Sequence, residues 1–446
     1  MSIMTESQAK AILDKVIELS KADECSAFLG GERTGNIRFA RNAVSTSGEV
    51  SDAQLVVQVA FGTRSGTATT NSFDDASLER VVRAAENLAR LAPESEEFMP
   101  ALDKQTYMDT KTFQKGTDEV DPAFRASAAA DSIESCKKEK LVAAGFLTDS
   151  RTFSAFANSN GNFAYQTNTE LDYTCTVRTE DDTGSGWVAR NLGDAKQFDA
   201  KKDIATAMRK AKGSVEAKAI EPGKYTVILE PAAASGLITF MMFGFDARQA
   251  DEGRSFLAKK GGGNRIGEQV FDERVDLWTD PADPRAPTLP WDQTGQARKK
   301  MPIIEKGKVK YLQYSRYWAQ KQEKESHGQP GNLIMAGGDK STEELVKGTR
   351  RGILVTRTWY IRMVDPQTVL LTGLTRDGTF YIEDGEVKYP IKNMRFNESP
   401  VIMLNNIEEL GIPERLQVGG GQNQFLALIP ALKVRDFTFT SLSDAV

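Results

Sequence analysis

Lys224–Ala247, "KYTVILEPAAASGLITFMMFGFDA", is the stretch that decides the fold, because a strand-like run passes directly into a helix. Enzymes that bind nucleotides or metals often place their chemistry at such a strand-to-helix junction. From Pro231 to Phe245, however, the sequence contains no charged residue, no histidine and no cysteine. The junction therefore has the position of an active site without the residues that an active site normally needs.

The regions on either side of this junction differ in their predicted secondary structure and in their Gly and Pro content. A chain of 446 residues is too long for one ordinary core, because a domain usually holds roughly 150 residues. Helix and strand patterns alternate over residues 1–95, and a second helix-plus-sheet block covers residues 106–215. Residues 220–446 are strand-rich and punctuated by Gly and Pro. We predict three domains at these bounds and an α+β fold, in which an N-terminal α/β sheet-and-helix region is followed by a strand-rich, mostly antiparallel C-terminal domain.

Hydrophobic periodicity places individual elements within these regions. Short strand-like runs include "CSAFLGG" (Cys25–Gly31) and "NIRFARN" (Asn36–Asn42). The "EDGEV" stretch (Glu383–Val387) predicts a hairpin, since Asp-Gly tolerates the positive φ of a tight turn. Apolar residues at helical spacing predict helices at about Ser7–Ala22, Asp74–Ala92, Asp121–Lys140 and Asp199–Ser214.

Charge and cysteine content limit the classes of function. The net charge of −5 and the pI near 5.4 give no electrostatic reason to expect nucleic-acid binding. No apolar run of 18 residues predicts a membrane span, and the first residues lack the pattern of a signal peptide. The three cysteines, Cys25, Cys136 and Cys175, are odd in number and far apart. We therefore expect reduced thiols in a cytoplasmic protein.

Metal and cofactor chemistry is limited by the single histidine, His327. A zinc-protease helix needs two histidines on one face, which one histidine cannot supply. A site made from His327 and the three cysteines would lack the closely spaced ligand pairs that such sites use. Carboxylate-only sites for Mg²⁺ or Ca²⁺ stay open, although nothing resembles an EF-hand loop. We predict no metal site and no cofactor.

Four other motifs have a plain structural interpretation. "DDTGSG" (Asp181–Gly186) contains the Asp-Thr-Gly string of aspartic proteases, but it follows polar residues and occurs once, so we predict a turn. The glycine runs in Lys259–Glu268 and Gly419–Phe425 predict loops, although the first could cradle phosphate and the second could approach a peptide closely. A Ser–His or Cys–His pair with His327 would require proximity in the fold.

Five stretches together resemble the TldD/PmbA family, whose members were once called modulators of DNA gyrase and are now described as metalloprotease-related. The longest of these, "TGLTRDGTFYIEDGEVKYPIKNMRFNES", is the most specific, and residues before 220 agree more weakly. The five stretches are Tyr225–Ile238, Asp272–Pro281, Lys306–Ala319, Thr372–Ser399 and Pro430–Phe439.

This resemblance implies a role for the apolar helix. The protease-active, TldD-like branch of the family carries His-Glu-x-x-x-His on the helix after this strand, and a later Cys completes its zinc site. Aligned without gaps, those positions are Thr239 for the first His, Phe240 for the Glu and Gly244 for the second His. No Cys follows Cys175. The resemblance therefore places the chain in the PmbA/TldE-like branch, with a degenerate zinc motif and no catalytic residues of its own.

The resemblance also implies partners. Family members form dimers that enclose a cavity, and an unfolded peptide adds to a sheet edge as an extra strand. We expect a TldD-like zinc-bearing subunit, a second copy of this chain, or both as partners, and we assign no substrate-binding residue. The aromatic "YLQYSRYWAQ" segment (Tyr311–Gln320) is predicted to be a helix that serves either an interface or the core.

Two alternatives remain open at the level of sequence. One is a hydrolase with a non-zinc mechanism, for which His327 would have to lie beside a Ser or a Cys. The other is a homodimeric peptide-binding or scaffold protein without a protease partner.

Overall fold

A computed structural model describes residues 3–418 and 425–443 of the chain. Two short 3₁₀ turns, Ala195–Gln197 and Phe243–Phe245, supplement its helices. Within the described ranges the helices are α1 (Glu6–Leu19), α2 (Asp75–Leu91), α3 (Lys115–Asp118), α4 (Pro122–Lys138), α5 (Ala200–Gly213), α6 (Pro231–Met242), α7 (Ala247–Asp251), α8 (Arg316–Lys321), α9 (Thr342–Lys347) and α10 (Pro400–Asn405).

The strands divide between two sheets. Those of the N-terminal sheet are β1 (Glu24–Ala40), β2 (Ala43–Phe61), β3 (Arg64–Thr70), β4 (Leu141–Asn158), β5 (Phe163–Thr179) and β6 (Ser185–Leu192). Those of the C-terminal sheet are β7 (Gly223–Leu229), β8 (Leu277–Thr279), β9 (Met301–Glu305), β10 (Lys308–Val309), β11 (Asn332–Met335), β12 (Arg351–Asp365), β13 (Leu370–Glu383), β14 (Glu386–Pro390), β15 (Met394–Glu398), β16 (Ile407–Val418) and β17 (Phe425–Leu442).

The N-terminal sheet repeats one order of elements. Its strands lie in the order β3-β2-β1-β4-β5-β6, and all neighbours are antiparallel. Helix α1 precedes β1–β3 and α2 follows them, just as α4 precedes β4–β6 and α5 follows them. Each unit has its own apolar core, with Leu13 and Val57 in the first and Tyr173 and Ile204 in the second. The two units meet where β1 pairs with β4.

A glycine in the last strand of each unit lets the helix that follows the strand approach it closely. A Cβ at Gly66 in β3 would lie 2.3 Å from the backbone O of Ala85 in α2. A Cβ at Gly186 in β6 would lie 2.1 Å from the backbone O of Ala207 in α5. Glycine is required at both positions because any side chain would push the helix away from the sheet.

The central strands are longer than the sequence pattern predicts. The runs Cys25–Gly31 and Asn36–Asn42 were expected to be separate strands, but β1 is continuous because β2 and β4 pair with it on both sides. A Cβ at Gly31 would lie 2.5 Å from the Phe153 ring of β4. The glycine therefore makes room for a side chain from the neighbouring strand and does not end β1.

The C-terminal sheet closes on itself at its centre. In the described residues, β17 pairs with β15, β15 with β13, β13 with β12, β12 with β7, and β7 again with β17. Strands β11 and β16 pair with the other half of β17. The pairs β7–β12 and β11–β17 are parallel, and the other strand pairs are antiparallel. Closure removes exposed edges from the ring of strands that carries α6.

The structure confirms the predicted fold class and the helices predicted to begin near Ser7, Asp74, Asp121 and Asp199. Asp74, Asp121 and Asp199 cap α2, α4 and α5 by accepting backbone N–H groups of the first turn. The predicted hairpin joins β13 to β14 through Asp384 and Gly385, with φ of 51° and 78°. The three-domain division stays a prediction, and the N-terminal sheet runs continuously across the bounds proposed at residues 95 and 106.

The remaining sequence motifs lie in loops. Asp181 accepts hydrogen bonds from the Thr179 and Thr183 hydroxyls in the turn between β5 and β6. The Lys259–Glu268 glycine run is a loop, and the side chains at its two ends form an ion pair of 3.1 Å. In the second glycine run, residues 419–424 lie outside the described residues. None of the helices in residues 3–418 and 425–443 combines the length and the apolar character needed to cross a bilayer.

Candidate functional site

Helix α6 starts where β7 leaves the closed ring of strands. The N–H of Glu230 donates to the Val355 carbonyl of β12 (3.0 Å), which fixes the point where the chain turns. Pro231 occupies the first helical position, where its fixed φ suits the helix and its missing N–H costs nothing. The Glu230 carboxylate pairs with Lys210 Nζ (2.5 Å) of α5 and does not cap the helix. The N-terminal end of α6 is thereby tied to the N-terminal region.

Helix α6 is buried on nearly all sides. A Cβ at Gly236 would lie 2.9 Å from Thr358 Oγ1 and 3.0 Å from Ile361 Cδ1, so the helix is in close contact with β12. A helix that is apolar all round is typical of a protein core and is not typical of a catalytic surface. The buried residues of α6 are Pro231, Ala233, Ala234, Ser235, Leu237, Ile238, Thr239 and Met241.

The three positions aligned with the zinc motif form no ligand set. Thr239 Oγ1 donates to the Ser235 carbonyl one turn earlier (2.7 Å), so its hydroxyl is already used. Phe240 is half-buried, and its ring lies 5.9 Å from that of Phe243. Gly244 lies after the end of α6, in the 3₁₀ turn, where a Cβ would lie 2.6 Å from the Phe256 ring. Packing therefore occupies the space that a second histidine would need.

The three cysteines lie in the cores of the N-terminal units and not on α6. Cys136 and Cys175 share the core of the second N-terminal unit, and Cys25 lies in the core of the first. Burial raises the pKa of the Cys25 thiol to about 11 and those of Cys136 and Cys175 to about 12, so all three are protonated at neutral pH. The part of the chain that the structure describes contains no group of three His, Cys, Asp or Glu side chains placed to hold a metal ion.

The C-terminal end of α6 leads to a cavity. The backbone of Gln313 bonds with both sides of the turn after α6: its N–H donates to the Phe245 carbonyl (2.7 Å), and its carbonyl accepts from Ala247 N–H (3.0 Å). Gln313 also lines a cavity of about 510 Å³ between the N-terminal sheet and the C-terminal region. Ligand sites commonly have volumes of roughly 300–1,000 Å³.

The walls of the cavity come from segments far apart in the sequence. Glu24–Ser26 of β1, the end of β2 and Ser65 of β3 form one side. The segment between α2 and α3 contributes residues from Ser95 to Leu102, and the C-terminal region contributes three loops and the start of α8. From those C-terminal elements come Asp292, Gln313, Tyr314, Arg316, Tyr317 and His327.

His327 lies in this cavity and is neutral at physiological pH. Burial lowers the pKa of its imidazole, while Glu325 opposes that effect. Its Nδ1 is buried and makes no hydrogen bond within the described residues, although Glu325 Oε1 lies 3.4 Å away. Cys25 lines the same cavity, as the non-zinc hydrolase alternative would require. No hydrogen bond in the described chain joins His327 to a serine or cysteine side chain, and the raised pKa of Cys25 disfavours a thiolate nucleophile.

The aromatic segment near the cavity serves the core. It was predicted to be a helix throughout, but only its second half, from Arg316, is helical. Tyr314 and Trp318 are buried, and Trp318 Nε1 donates to Asp251 Oδ2 (2.7 Å). The sequence analysis also missed Arg316 as a cavity residue. The signal available was one arginine among four aromatic residues in "YLQYSRYW", a combination that is common in ligand pockets.

Comparison with known families decides the membership of the chain. A model described as PmbA/TldA metallopeptidase domain 1 matches residues 25–89, the corresponding central-domain model matches residues 117–215, and the C-terminal-domain model matches residues 222–441. The chain belongs to the PmbA/TldD family.

Named relatives in the family are distant. The protein "Metalloprotease PmbA" of Escherichia coli O157:H7 is 22% identical in an alignment that covers 96% of this chain and 97% of the relative. A "Metalloprotease" of Methanothermobacter thermautotrophicus is 25% identical over 297 residues. That match covers 61% of this chain and 62% of the archaeal protein, so the chain spans less than two thirds of that relative's length.

Solved structures share the fold. TldE from Thermococcus kodakarensis superposes with a TM-score of 0.86 at 18% identity, covering 97% of this chain and 99% of the other. A Thermotoga maritima protein described as a modulator of a DNA gyrase superposes with a TM-score of 0.83, also at 18% identity, covering 97% and 100%. At these identities the likeness establishes the PmbA/TldD fold, including the strand-rich C-terminal part.

Proposed function

We propose that this chain is a non-catalytic, PmbA/TldE-like subunit of a TldD-type zinc metalloprotease system that acts on unfolded peptides. The observation that carries the proposal is the apolar packing of α6, on which the resemblance aligns Thr239, Phe240 and Gly244 with the His, Glu and His of the zinc-bearing branch. Metalloproteases need a set of zinc ligands and a general base, and these three residues provide neither. A TldD-like partner would supply both, while this chain would shape the cavity and hold the peptide.

An open sheet edge supports peptide binding. Strand β3 pairs with β2 from Arg64 to Thr70 in an unbroken register. Among the described strands none pairs with the other side of β3. An extended peptide added there would be held by main-chain hydrogen bonds, with little dependence on its sequence. Ser65 at the start of β3 lines the cavity beside α6, so a peptide on this edge would end at the cavity.

The test compares three samples: the purified chain, a purified TldD-like protein from the same genome, and their mixture. Zinc content and casein cleavage are measured in each. We expect no zinc and no cleavage for the chain alone, and chelator-sensitive cleavage in the mixture that exceeds that of the partner alone. The matched controls are a His→Ala change in the partner's motif, which should abolish cleavage, and Thr239→Ala in this chain, which should leave it unchanged.

Two results would contradict the proposal. Zinc bound in equal amount to the purified chain would mean that residues other than the motif positions form a metal site. Chelator-resistant cleavage by the chain alone would favour the non-zinc hydrolase, and His327 would then be the first residue to change.

A further inference from the structure

The cavity beside α6 contains carboxylates that are already engaged within the protein. Glu24 Oε2 accepts from the Ala101 N–H (2.6 Å). Glu97 forms an ion pair with Arg248, at 2.9 Å. Asp292 accepts from the Thr294 N–H and hydroxyl and from the Gln329 N–H, which holds its loop in shape. These three carboxylates stabilise the walls of the cavity through bonds within the protein and are not proposed to bind a ligand.

Arg316 is different, because its guanidinium has no partner. Within residues 3–418 and 425–443 it makes no hydrogen bond and no ion pair, although it is half-buried and lines the cavity. Burial lowers the pKa of Arg316, and the more distant carboxylates of Glu24, Asp103 and Asp292 oppose that effect. Arginine stays charged in proteins, so the cavity contains a cation that has lost part of its hydration and forms no direct ion pair with a carboxylate of the described residues.

A second polar group of the cavity is the His327 imidazole. Its Nδ1 is buried and makes no hydrogen bond within the described residues, and Glu325 Oε1 lies 3.4 Å from it. Neutral imidazole carries one donor and one acceptor nitrogen, so it can bond a carboxylate oxygen or a peptide group next to a carboxylate. The aromatic residues Phe98, Tyr314 and Tyr317 add apolar surface to the same cavity. A cation, a neutral imidazole and aromatic surface together suit an organic anion better than an inorganic one.

We propose that this cavity binds the carboxylate of a peptide, with the Arg316 guanidinium as the group that receives it. Planar guanidinium and carboxylate groups match in geometry and form charge-assisted hydrogen bonds. The carboxylate site rests on the cavity alone. The choice of a peptide as the carrier rests on the proposed function and on Ser65, which joins the open edge of β3 to the cavity wall.

The experiment measures binding of short peptides to the full-length chain by isothermal titration calorimetry. Trialanine has a free carboxylate, trialanine amide has none, and an amidated Ala-Glu-Ala peptide carries its carboxylate on a side chain. The variants are Arg316→Gln and, as a matched control, Arg350→Gln, whose side chain is exposed and lies outside the cavity. Circular dichroism confirms that both variants are folded.

We expect trialanine to bind wild type and Arg350→Gln alike, and to bind Arg316→Gln roughly tenfold or more weakly, the loss typical of a charge-assisted hydrogen bond. Trialanine amide should bind wild type more weakly than trialanine does, by a similar factor. If the amidated Ala-Glu-Ala peptide binds wild type with the same affinity as trialanine, and Arg316→Gln weakens its binding equally, the site accepts a side-chain carboxylate as well as a terminal one.

Equal binding of all three peptides, or of both variants, would overturn the carboxylate site, and so would an absence of binding. Assembly with the TldD-like partner and casein cleavage, measured on the same Arg316→Gln sample, separate this failure from failure of the proposed function. Loss of the carboxylate dependence with intact assembly would overturn the site alone.

Discussion

Helix α6 and the cavity at its C-terminal end are neighbours of opposite character. The sequence resemblance predicts a degenerate zinc motif on this helix, and the helix is apolar and in close contact with β12 and Phe256. The cavity adjoins the turn after α6 through the backbone hydrogen bonds of Gln313, and it contains a neutral imidazole and a guanidinium that has no ion-pair partner among the described residues. Apolar packing therefore fills the helix, while polar groups suited to binding lie beside it.

The largest expected effect tests whether α6 is purely structural. Leu237 is fully buried, so Leu237→Ala should lower the free energy of unfolding by about 2–5 kcal/mol, from lost burial and the cavity left behind. Phe243→Ala, in the turn after the helix at 59% exposure, is the control and should change stability by less than about 0.5 kcal/mol. Urea denaturation measures both. Similar small effects for the two changes would mean that α6 is loosely packed and could serve another purpose.

The next prediction concerns restoring the zinc motif on α6. The triple change Thr239→His, Phe240→Glu and Gly244→His should not yield a zinc site, because no cysteine follows as a third ligand and the Phe256 ring occupies the space beside Gly244. Overpacking at Gly244 should cost about 1–3 kcal/mol of stability. Metal analysis and thermal unfolding measure the two quantities, with Gly244→Ala as the control for crowding. One tightly held zinc per chain at unchanged stability would contradict this account of α6.

The smallest effect concerns the cavity and depends on pH. The pKa of His327 is lower in the folded protein than its unfolded value of about 6.5. The unfolded chain therefore binds more protons between these two values, and the contribution of neutral His327 to stability is complete above pH 6.5 and is lost as the pH falls through that window. Lys299, which also lowers this pKa, and Glu325, which opposes it, are the charges concerned.

His327→Asn isolates this effect, because the chain has no other histidine. Urea denaturation is measured for wild type and variant at pH 7.5 and 5.5. Between these pH values the urea midpoint of wild type should fall by more than that of the variant. If the urea midpoints of the two proteins change by the same amount between these pH values, the imidazole is as hydrated in the cavity as in the unfolded chain.

Local features of the fold could be predicted from the sequence, and contacts between distant segments could not. The capping aspartates Asp74, Asp121 and Asp199 mark helix starts within a few residues, and Asp384-Gly385 marks a hairpin, because those signals are local. The continuity of β1 and the closure of the C-terminal strands depend on pairing between remote segments, which no local pattern encodes.

The same distinction applies to the candidate site. Thr239, Phe240 and Gly244 could be singled out because they align with a motif on one helix. The cavity could not, since Ser65, Arg316 and His327 come together only through the docking of the N-terminal sheet on the C-terminal region. The absence of a hydrogen-bond partner for Arg316 is likewise a property of the fold that its sequence neighbours do not reveal.

Native mass spectrometry of the chain mixed with a TldD-like protein from the same genome tests the central claim most directly, because it reads composition and metal content from one species. The account predicts a complex containing both proteins in which zinc stays with the TldD-like subunit after mild dissociation, while this chain is released without metal. Zinc on the released chain, or no complex under conditions in which the TldD-like protein alone cleaves casein, would contradict the account.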